Sequence, residues 1–325
     1  MKSLVNYQEI EKAYNRISNY AIKTPLLSSD LLNKEFSSNI FIKAENLQKI
    51  GAFKFRGAMN SILKLNDDKR NVLAWSSGNH AQAIASACYL TNKNATIVMP
   101  KDSPNAKLNG TKSWGANIVT FDRYSESREE IGTNLAKEIN AEIIPPFDHP
   151  DVINGQGTVG YEIINDCKRN NLVPDLVLCC CGGGGLIAGV STAIKAEYPN
   201  VPIYAVEPKD YNDTYLSLRD NKITEVDVSK KSICDSLLAS KPGELTFSIN
   251  KENLSGSLLV SDLEALKAMK YAFQYFKIIL EPGGAVALAS ALFNKIDIKN
   301  KTVVIIASGG NVDPDIFEKS LKVSI

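Results

Sequence analysis

Residues 176–190 have the sequence LVLCCCGGGGLIAGV, in which four glycines, Gly182–Gly185, separate two runs of apolar residues. This pattern predicts a buried β-strand that turns directly into an α-helix. Glycine has no Cβ, so the turn can adopt positive φ angles and press its amide N–H groups against a ligand. Because these amides lie at the positive end of a helix dipole, the turn favours an anion such as phosphate.

The residues after the glycines narrow the choice of phosphate compound. A nucleotide-hydrolysing P-loop needs Lys and then Ser or Thr, whereas Leu186 and Ile187 stand here. A dinucleotide site needs spaced glycines and an acidic residue about twenty positions further on. Glu207 is at roughly that distance, so this weaker alternative stays open. A turn without any ligand is disfavoured, because each glycine costs about 0.5–1 kcal/mol in backbone entropy.

Composition excludes several classes of partner. The 325 residues carry 37 Lys and Arg against 36 Asp and Glu, and the charges are interspersed. We therefore expect neither nucleic acid nor an anionic membrane as a partner. No apolar run approaches the roughly 18 residues of a membrane span, and Glu9 comes too early for a signal peptide, which predicts a cytoplasmic protein. The cysteines lack a C-x-x-C pair and are interpreted as buried apolar side chains (Cys88, Cys167, Cys179, Cys180, Cys181 and Cys234).

Strand-like and helix-like segments alternate along the chain, which predicts an α/β fold with parallel sheets. The predicted strands are 40–43, 72–76, 95–99, 118–121, 143–144, 176–181, 203–206 and 303–307, and the predicted helices include 78–90, 125–139, 159–169 and 263–278. Ligands bind at the C-terminal ends of parallel strands. The turns 76–80, 182–185 and 308–311 are therefore expected to face one cleft.

Five motifs follow one another along the chain: KAENLQKIGAFKFRGA at 43–58, SSGNH at 76–80, GQGT at 155–158, the tetraglycine turn, and SGGN at 308–311. With them the chain resembles the fold-type II pyridoxal-phosphate enzymes, over nearly its whole length. It is most similar to the branch of serine/threonine dehydratases (ammonia-lyases), serine racemase and 3-hydroxyaspartate dehydratase. The resemblance implies two parallel-sheet α/β domains with the cofactor between them, a large domain of 1–69 and 148–325 and a small mobile domain of 70–147.

The same resemblance implies the residues that bind pyridoxal 5′-phosphate. Lys54 is expected to form a Schiff base with the cofactor and to act as the base at the substrate Cα, with its pKa lowered by desolvation. Phe53 is expected to lie against the pyridine ring, Asn79 to bind the 3′-oxygen and Ser308 to face the ring nitrogen. The phosphate is expected at Gly182, Gly183, Gly184, Gly185 and Leu186.

The resemblance also implies contacts with a small hydroxy amino acid substrate. Ser76, Ser77, Asn79 and His80 are expected to surround its α-carboxylate. In serine racemases the serine matching Ser77 is the acid/base opposite the lysine, so Ser77 is the second catalytic candidate; capping the next helix is the structural alternative. Arg128 is expected to reach the second carboxylate of a dicarboxylate such as 3-hydroxyaspartate, and pairing with a neighbouring glutamate in solvent is its alternative.

Residues 207–213, EPKDYND, match a segment that binds Mg²⁺ or Ca²⁺ in the racemase-like branch. Glu207 and Asp213 are the expected carboxylate ligands and Tyr211 the expected carbonyl ligand, whereas a solvated acidic loop is the alternative.

The leading functional hypothesis is an L-serine/L-threonine ammonia-lyase that forms a 2-oxo acid and ammonia. Serine racemase and 3-hydroxyaspartate ammonia-lyase are alternatives on the same site. A ligand-sensing phosphate-binding protein is the non-enzyme alternative. Because related enzymes are commonly dimers, a homodimer is expected.

Overall fold

The structure, a computed structural model, describes residues 4–76, 78–103, 105–122 and 125–324, without the side chains of residues 105 and 106. Its strands are β1 Leu26–Ser28, β2 Asn39–Ala44, β3 Asn71–Trp75, β4 Asn94–Pro100, β5 Asn117–Phe121, β6 Ala141–Ile143, β7 Leu176–Cys180, β8 Ile203–Pro208, β9 Gly256–Val260 and β10 Thr302–Ala307. Its α-helices are α1 Tyr7–Ile17, α2 Asp30–Phe36, α3 Lys54–Leu63, α4 Asn79–Leu90, α5 Asn105–Ser113, α6 Arg128–Glu138, α7 Pro150–Arg169, α8 Gly185–Glu197, α9 Asp213–Asp220, α10 Glu244–Asn253, α11 Asp262–Tyr271, α12 Pro282–Leu292 and α13 Pro314–Lys322. The alternation of strands and helices confirms the α/β class.

The larger sheet has the strand order β1-β2-β10-β7-β8-β9. Every pair is parallel except β1 with β2. Every residue of β7 is buried, as a parallel strand covered on both faces requires. This explains why the decisive stretch of sequence is apolar without alternation. The C-terminal ends of β7 and β10 therefore open at the same edge of the sheet.

The smaller sheet has the order β5-β4-β3-β6 and is parallel throughout. Its strands all lie between Asn71 and Ile143, and an apolar cluster covers each of its faces, one of them shared with residues of α3. The larger sheet packs around a separate cluster. The exact domain boundaries, at 69/70 and 147/148, stay a prediction.

Each predicted strand overlaps an observed one, but β1 and β9 were not predicted. Helix α7 begins at Pro150, so the predicted start at 159 is wrong. Its glycines lie inside the helix, where they allow close helix packing. A Cβ on Gly155 would lie 2.6 Å from the carbonyl oxygen of Arg56, and one on Gly189 would lie 2.4 Å from that of Ile153. Helices α3, α7 and α8 therefore pack backbone against backbone.

The predicted helix 263–278 is interrupted. Helix α11 ends at Tyr271, a π-helical turn covers Ala272–Phe276, and Lys277 ends it with a φ of 60°. None of the helices in the described part of the chain is both long and apolar enough to cross a membrane. All six cysteines are buried and free, as the composition predicts.

Candidate active site

The turns that follow β3, β7 and β10 line one cleft, as the sequence predicts. It has a volume of about 220 Å³. All of the residues predicted to bind cofactor or substrate line it, except Ser77, which lies outside the described residues: Phe53, Lys54, Ser76, Asn79, His80, Arg128, Gly182, Gly183, Gly184, Gly185, Leu186 and Ser308. The smaller sheet supplies Ser76, Asn79 and His80, and the larger sheet supplies the glycine turn and Ser308.

Lys54 is the first residue of α3 and points into this cleft. Its Nζ donates a hydrogen bond to the carbonyl oxygen of Pro146 at 2.6 Å and lies 5.2 Å from the centre of the Phe53 ring. No described carboxylate forms an ion pair with it. Burial without a counter-charge lowers the pKa of Lys54 to about 8. At pH 7 about a tenth of the amine is therefore unprotonated, far more than for an ordinary exposed lysine, and this fraction can attack an aldehyde.

The glycine turn forms the wall where α8 begins. Gly184 caps α8 with a φ of 91°, which a residue with a side chain rarely adopts. A Cβ on Gly183 would lie 2.4 Å from the ring of Phe147. No described residue accepts hydrogen bonds from the amides of Gly184, Gly185, Leu186 and Ile187. These unpaired donors at a helix N-terminus fit a phosphate group.

Ser308 follows β10 and lines the same cleft. Its side chain is buried, and its backbone carbonyl accepts a hydrogen bond from the amide of Phe53 at 3.0 Å. Ala52 and Gly309 form an isolated bridge beside this contact. The segment that carries Lys54 is thus attached to the segment that carries Ser308. An amine, a hydroxyl and a phosphate-binding turn around one cleft fit pyridoxal phosphate.

Asn79 lies at the start of α4 and is held by two side chains. Its Nδ2 donates to Glu281 Oε1 at 2.6 Å, and its Oδ1 accepts from Asn311 Nδ2 at 2.8 Å. Burial raises the pKa of Glu281 to about 7, and its Oε2 has no partner among the described residues. None of the five sequence motifs includes Glu281. The only signal is its place before Pro282, which begins α12.

His80 is buried next to Asn79, and its Nε2 lies 2.9 Å from the carbonyl oxygen of Ile144. Burial, assisted by the nearby charge of Lys54, lowers the pKa of His80 to about 3. The ring is therefore neutral, and its Nε2–H donates to Ile144. The N-cap residue of α4 is Gly78, whereas Ser77, which the sequence suggested as a cap, lies outside the described residues.

Arg128 begins α6 and lines the mouth of the cleft. Its Nε donates to Glu129 Oε1 at 2.7 Å, and more than half of its side chain is exposed. The pair with Glu129 matches the alternative interpretation, and the contact of Arg128 with a second substrate carboxylate stays a prediction. An exposed pair of this kind contributes little free energy, so the guanidinium is available to a stronger acceptor.

The structure also shows an ion pair across the cleft, and no sequence motif predicts this pair. Lys107 of α5, which is buried, donates to Asp235, whose side chain is half exposed. Both residues line the cleft. The two are far apart in the sequence and belong to no recognisable motif, so only the folded structure brings them together.

The predicted cation ligands lie away from the cleft, at the end of β8. Glu207 is buried and accepts hydrogen bonds from the amides of Thr214 and Tyr215, both at 2.8 Å. Neither oxygen of buried Asp213 has a partner among the described residues. Burial and the neighbouring Glu207 raise the pKa of Asp213. The described residues contain no cluster of three or more His, Cys, Asp or Glu, so a hard cation would need backbone carbonyls such as that of Tyr211, and water.

Comparison with known proteins agrees with this geometry. The family described as "Pyridoxal-phosphate dependent enzyme" matches residues 17–309. L-threo-3-hydroxyaspartate ammonia-lyase of Saccharomyces cerevisiae is 44% identical, over 94% of this chain and 93% of that protein. Serine racemase of Schizosaccharomyces pombe is 42% identical over 95% of each chain. The crystal structure of the T.th. threonine deaminase superposes with a TM-score of 0.90 at 38% identity, over 95% of this chain and 99% of that one.

Proposed function

The chain belongs to the family of pyridoxal-phosphate dependent enzymes, and from this premise we propose that it is an ammonia-lyase that acts on a small β-hydroxy amino acid. It is an enzyme of the lyase type, with pyridoxal phosphate as its cofactor. The observation that carries the proposal is the position of Lys54, an amine of lowered pKa in a cleft that also holds a glycine turn and Ser308. L-serine and L-threonine are the proposed substrates.

Bound pyridoxal phosphate withdraws electrons from the amino acid attached to it, which makes the Cα proton acidic. Lys54 would hold the cofactor aldehyde at rest and, with the substrate amine in its place, would take the Cα proton. The proton gained by Lys54 could then be passed to the β-hydroxyl, which would leave as water, and addition of water to the released unsaturated amine would give a 2-oxo acid and ammonia. The amides of the glycine turn would hold the phosphate. Ser308 offers a neutral hydrogen bond to the ring nitrogen, which favours loss of a β-substituent over transamination.

Neutral His80 and the amides at the start of α4 face the place proposed for the α-carboxylate. A carboxylate at a helix N-terminus interacts favourably with the helix dipole. With a pKa of about 3, His80 carries no charge near neutral pH and acts there as a positioning residue.

Replacement of Lys54 tests the proposal directly. We expect the wild-type protein to form 2-oxo acid from L-serine or L-threonine, and Lys54→Ala to lose the activity and the Schiff-base absorbance. Lys49→Ala is the control, since Lys49 is a nearby lysine that lies over the Phe55 ring, away from the cleft. A Lys54→Ala protein that still formed 2-oxo acid would falsify the proposal.

A second substrate is favoured by one observation. Arg128 lines the cleft and can pair with a second carboxylate, as in 3-hydroxyaspartate, the compound named in the yeast relative. We expect Arg128→Gln to raise KM for L-threo-3-hydroxyaspartate at least tenfold and to leave KM for L-serine within about twofold, because one charge-assisted hydrogen bond is lost. Glu129→Gln, which frees the guanidinium, is the matched control. Equal effects on both substrates would remove this candidate.

Racemisation of serine depends on Ser77, outside the described residues, and stays a prediction. Chiral analysis of residual serine tests it: D-serine formation that persists in Ser77→Ala excludes Ser77 as the second acid/base. We also propose a homodimer and a cytoplasmic location. The free cysteines support a reducing compartment. Light scattering during gel filtration measures the oligomeric state.

A further inference from the structure

Gln156, at the centre of the GQGT motif, is buried in α7 without a hydrogen-bond partner. Its side chain is fully buried, and neither Oε1 nor Nε2 has a partner among the described residues. A buried amide without a partner costs about 1–3 kcal/mol. Such a cost is understandable if the partner is a ligand.

The surroundings of Gln156 identify that ligand. Gly57 lies in the first turn of α3, just after Lys54, and a Cβ there would lie 3.0 Å from Gln156 Cγ. Gly185 begins α8, and a Cβ there would lie 2.8 Å from Gln156 Oε1. The side chain of Gln156 thus lies between the N-terminal turns of two helices, with its carboxamide oxygen next to α8. The positive ends of both helix dipoles meet at this point.

The glycine at 185 has a clear purpose in this arrangement. Any side chain there would collide with Gln156 Oε1 and with Phe147, whose Cβ lies 2.9 Å from the same position. Gly185 lines the cleft, whereas Gln156 lies directly behind it. The carboxamide oxygen of Gln156 therefore lies beside the first residue of α8, next to its unpaired amides.

We propose that Gln156 is part of the phosphate-binding site and acts from behind the glycine turn: its carboxamide gains a hydrogen-bond partner when a phosphate group occupies the N-terminus of α8. This inference rests on the family's cofactor and is independent of the amino acid that the enzyme turns over. Gln156 carries no charge at any pH near neutral, so it adds a donor without changing the ion balance of the cleft.

Gln156→Met tests the proposal, because methionine has a similar shape and no amide. The cofactor is removed from the full chain, and binding of pyridoxal phosphate, pyridoxal and inorganic phosphate to the resulting protein is measured. We expect affinity for pyridoxal phosphate to fall about 10- to 100-fold, as for one hydrogen bond to a charged group. Affinity for pyridoxal, which has no phosphate, should change less than about twofold. The increase in Tm that inorganic phosphate produces should be lost.

The stability of the cofactor-free protein gives a second test, because here the same substitution should not weaken the protein. Removal of an unpartnered buried amide should keep or raise the Tm of the cofactor-free protein. Thr158→Val is the matched control on the same helix, because the Thr158 hydroxyl is paired: it donates to the Gly155 carbonyl at 2.6 Å and accepts from Arg56 Nη1 at 3.3 Å. We expect this control to lower the Tm and to leave the ratio of the two affinities unchanged.

Two results would overturn the proposal. Equal loss of affinity for pyridoxal phosphate and pyridoxal would make Gln156 a packing residue, as would a Tm loss like that of Thr158→Val. If Gln156→Met does not fold, Gln156→Glu answers the same question, since a carboxylate at this position repels phosphate. That variant should weaken pyridoxal phosphate more than pyridoxal, and equal weakening again contradicts the proposal.

Discussion

Lys43 and Lys54 lie in the same short stretch of sequence, yet the fold gives them opposite environments. Lys43 is fully buried and its Nζ contacts Glu162 Oε2 at 2.7 Å, Asp166 Oδ2 at 3.2 Å and the Thr24 carbonyl at 2.7 Å. Lys54 has only the Pro146 carbonyl among the described residues. The paired lysine is part of the scaffold, and the unpaired one is the proposed reactive amine. Lys43 is fully buried whereas Lys54 is partly buried, and of the two only Lys43 has a counter-charge among the described residues.

The ion-pair network around Lys43 also includes Arg56. Its guanidinium is fully buried between Glu45 and Glu162, with Nε to Glu45 Oε2 at 2.7 Å and Nη1 to Glu162 Oε1 at 2.8 Å. Two cations therefore share Glu162 and connect β2, α3 and α7. Such a network holds the first turn of α3, and with it Lys54, in place. Asp213 is similar to Lys54 rather than to Lys43, because its carboxylate is buried without a partner among the described residues.

The largest expected effect comes from breaking the paired network. Lys43→Met should lower the free energy of unfolding by about 3–5 kcal/mol, because two buried carboxylates lose a counter-charge. Lys23→Met is the control: Lys23 also pairs with Asp166, at 3.1 Å, but is partly exposed, so about 1 kcal/mol or less is expected. Urea denaturation of the cofactor-free protein measures both. Equal losses in the two variants would contradict the scaffold role.

The next effect concerns the unpaired lysine. Since burial lowers the pKa of Lys54 to about 8, the cofactor-free protein should bind pyridoxal phosphate at a rate that rises about tenfold per pH unit below 8. The rate should level off above that pH, where the free amine predominates. Schiff-base absorbance after mixing, with Lys54→Ala as the baseline, provides the measurement. A midpoint near 10.5 would mean that Lys54 is as well solvated as an exposed lysine.

A third test concerns Asp213, because removal of its carboxylate should stabilise the folded protein. In buffer free of divalent cations, Asp213→Asn should raise the free energy of unfolding by on the order of 1–3 kcal/mol. We propose that Mg²⁺ or Ca²⁺ binds at Glu207 and Asp213, so the variant should also lose the stabilisation by cations, about 2.7 kcal/mol at one hundred times Kd. Asp210→Asn is the control, because Asp210 is exposed and pairs with Lys230 at 3.3 Å. A cation response that survives in Asp213→Asn would contradict the site.

The same acidic pair gives a pH dependence of defined sign. Burial raises the pKa values of Glu207 and Asp213 in the folded protein. Between the ordinary carboxyl pKa near 4 and these raised values, the folded state binds more protons than the unfolded state. Without cations, stability should therefore fall as the pH rises through this window, and Mg²⁺ or Ca²⁺ should oppose the fall. A smaller slope in Asp213→Asn than in the wild type would assign that part of the effect to this pair, while buried Glu281, whose pKa is also raised, accounts for slope that remains.

The sequence predicts the cleft better than it predicts the groups that support it. Gly182–Gly185, Lys54 and Ser308 stand in local patterns whose chemistry can be inferred from neighbouring residues. Glu281 gives no such signal, because an isolated glutamate is usually exposed and its burial depends on the packing of α12. Gln156 was part of a recognised motif, but its missing partner is a property of three helices. Helix α7 itself was predicted too short, because glycines that enable close packing resemble glycines that end a helix.

Lys107 combines features of the two lysines, because it is paired like Lys43 and lines the cleft like Lys54. The smallest expected effect concerns this residue. Its partner Asp235 is half exposed, so the pair should contribute no more than about 1 kcal/mol to unfolding. Lys107 and Asp235 lie on the two sides of the cleft, so Lys107→Met and Asp235→Asn should each raise the substrate KM more than they lower stability. The double variant Lys107→Asp/Asp235→Lys should restore KM if the attraction itself matters. If the exchange fails while both single variants remain folded, the charge of Lys107 acts on another group of the cleft; Glu281 is the candidate, because the charge of Lys107 opposes the rise of its pKa that burial causes.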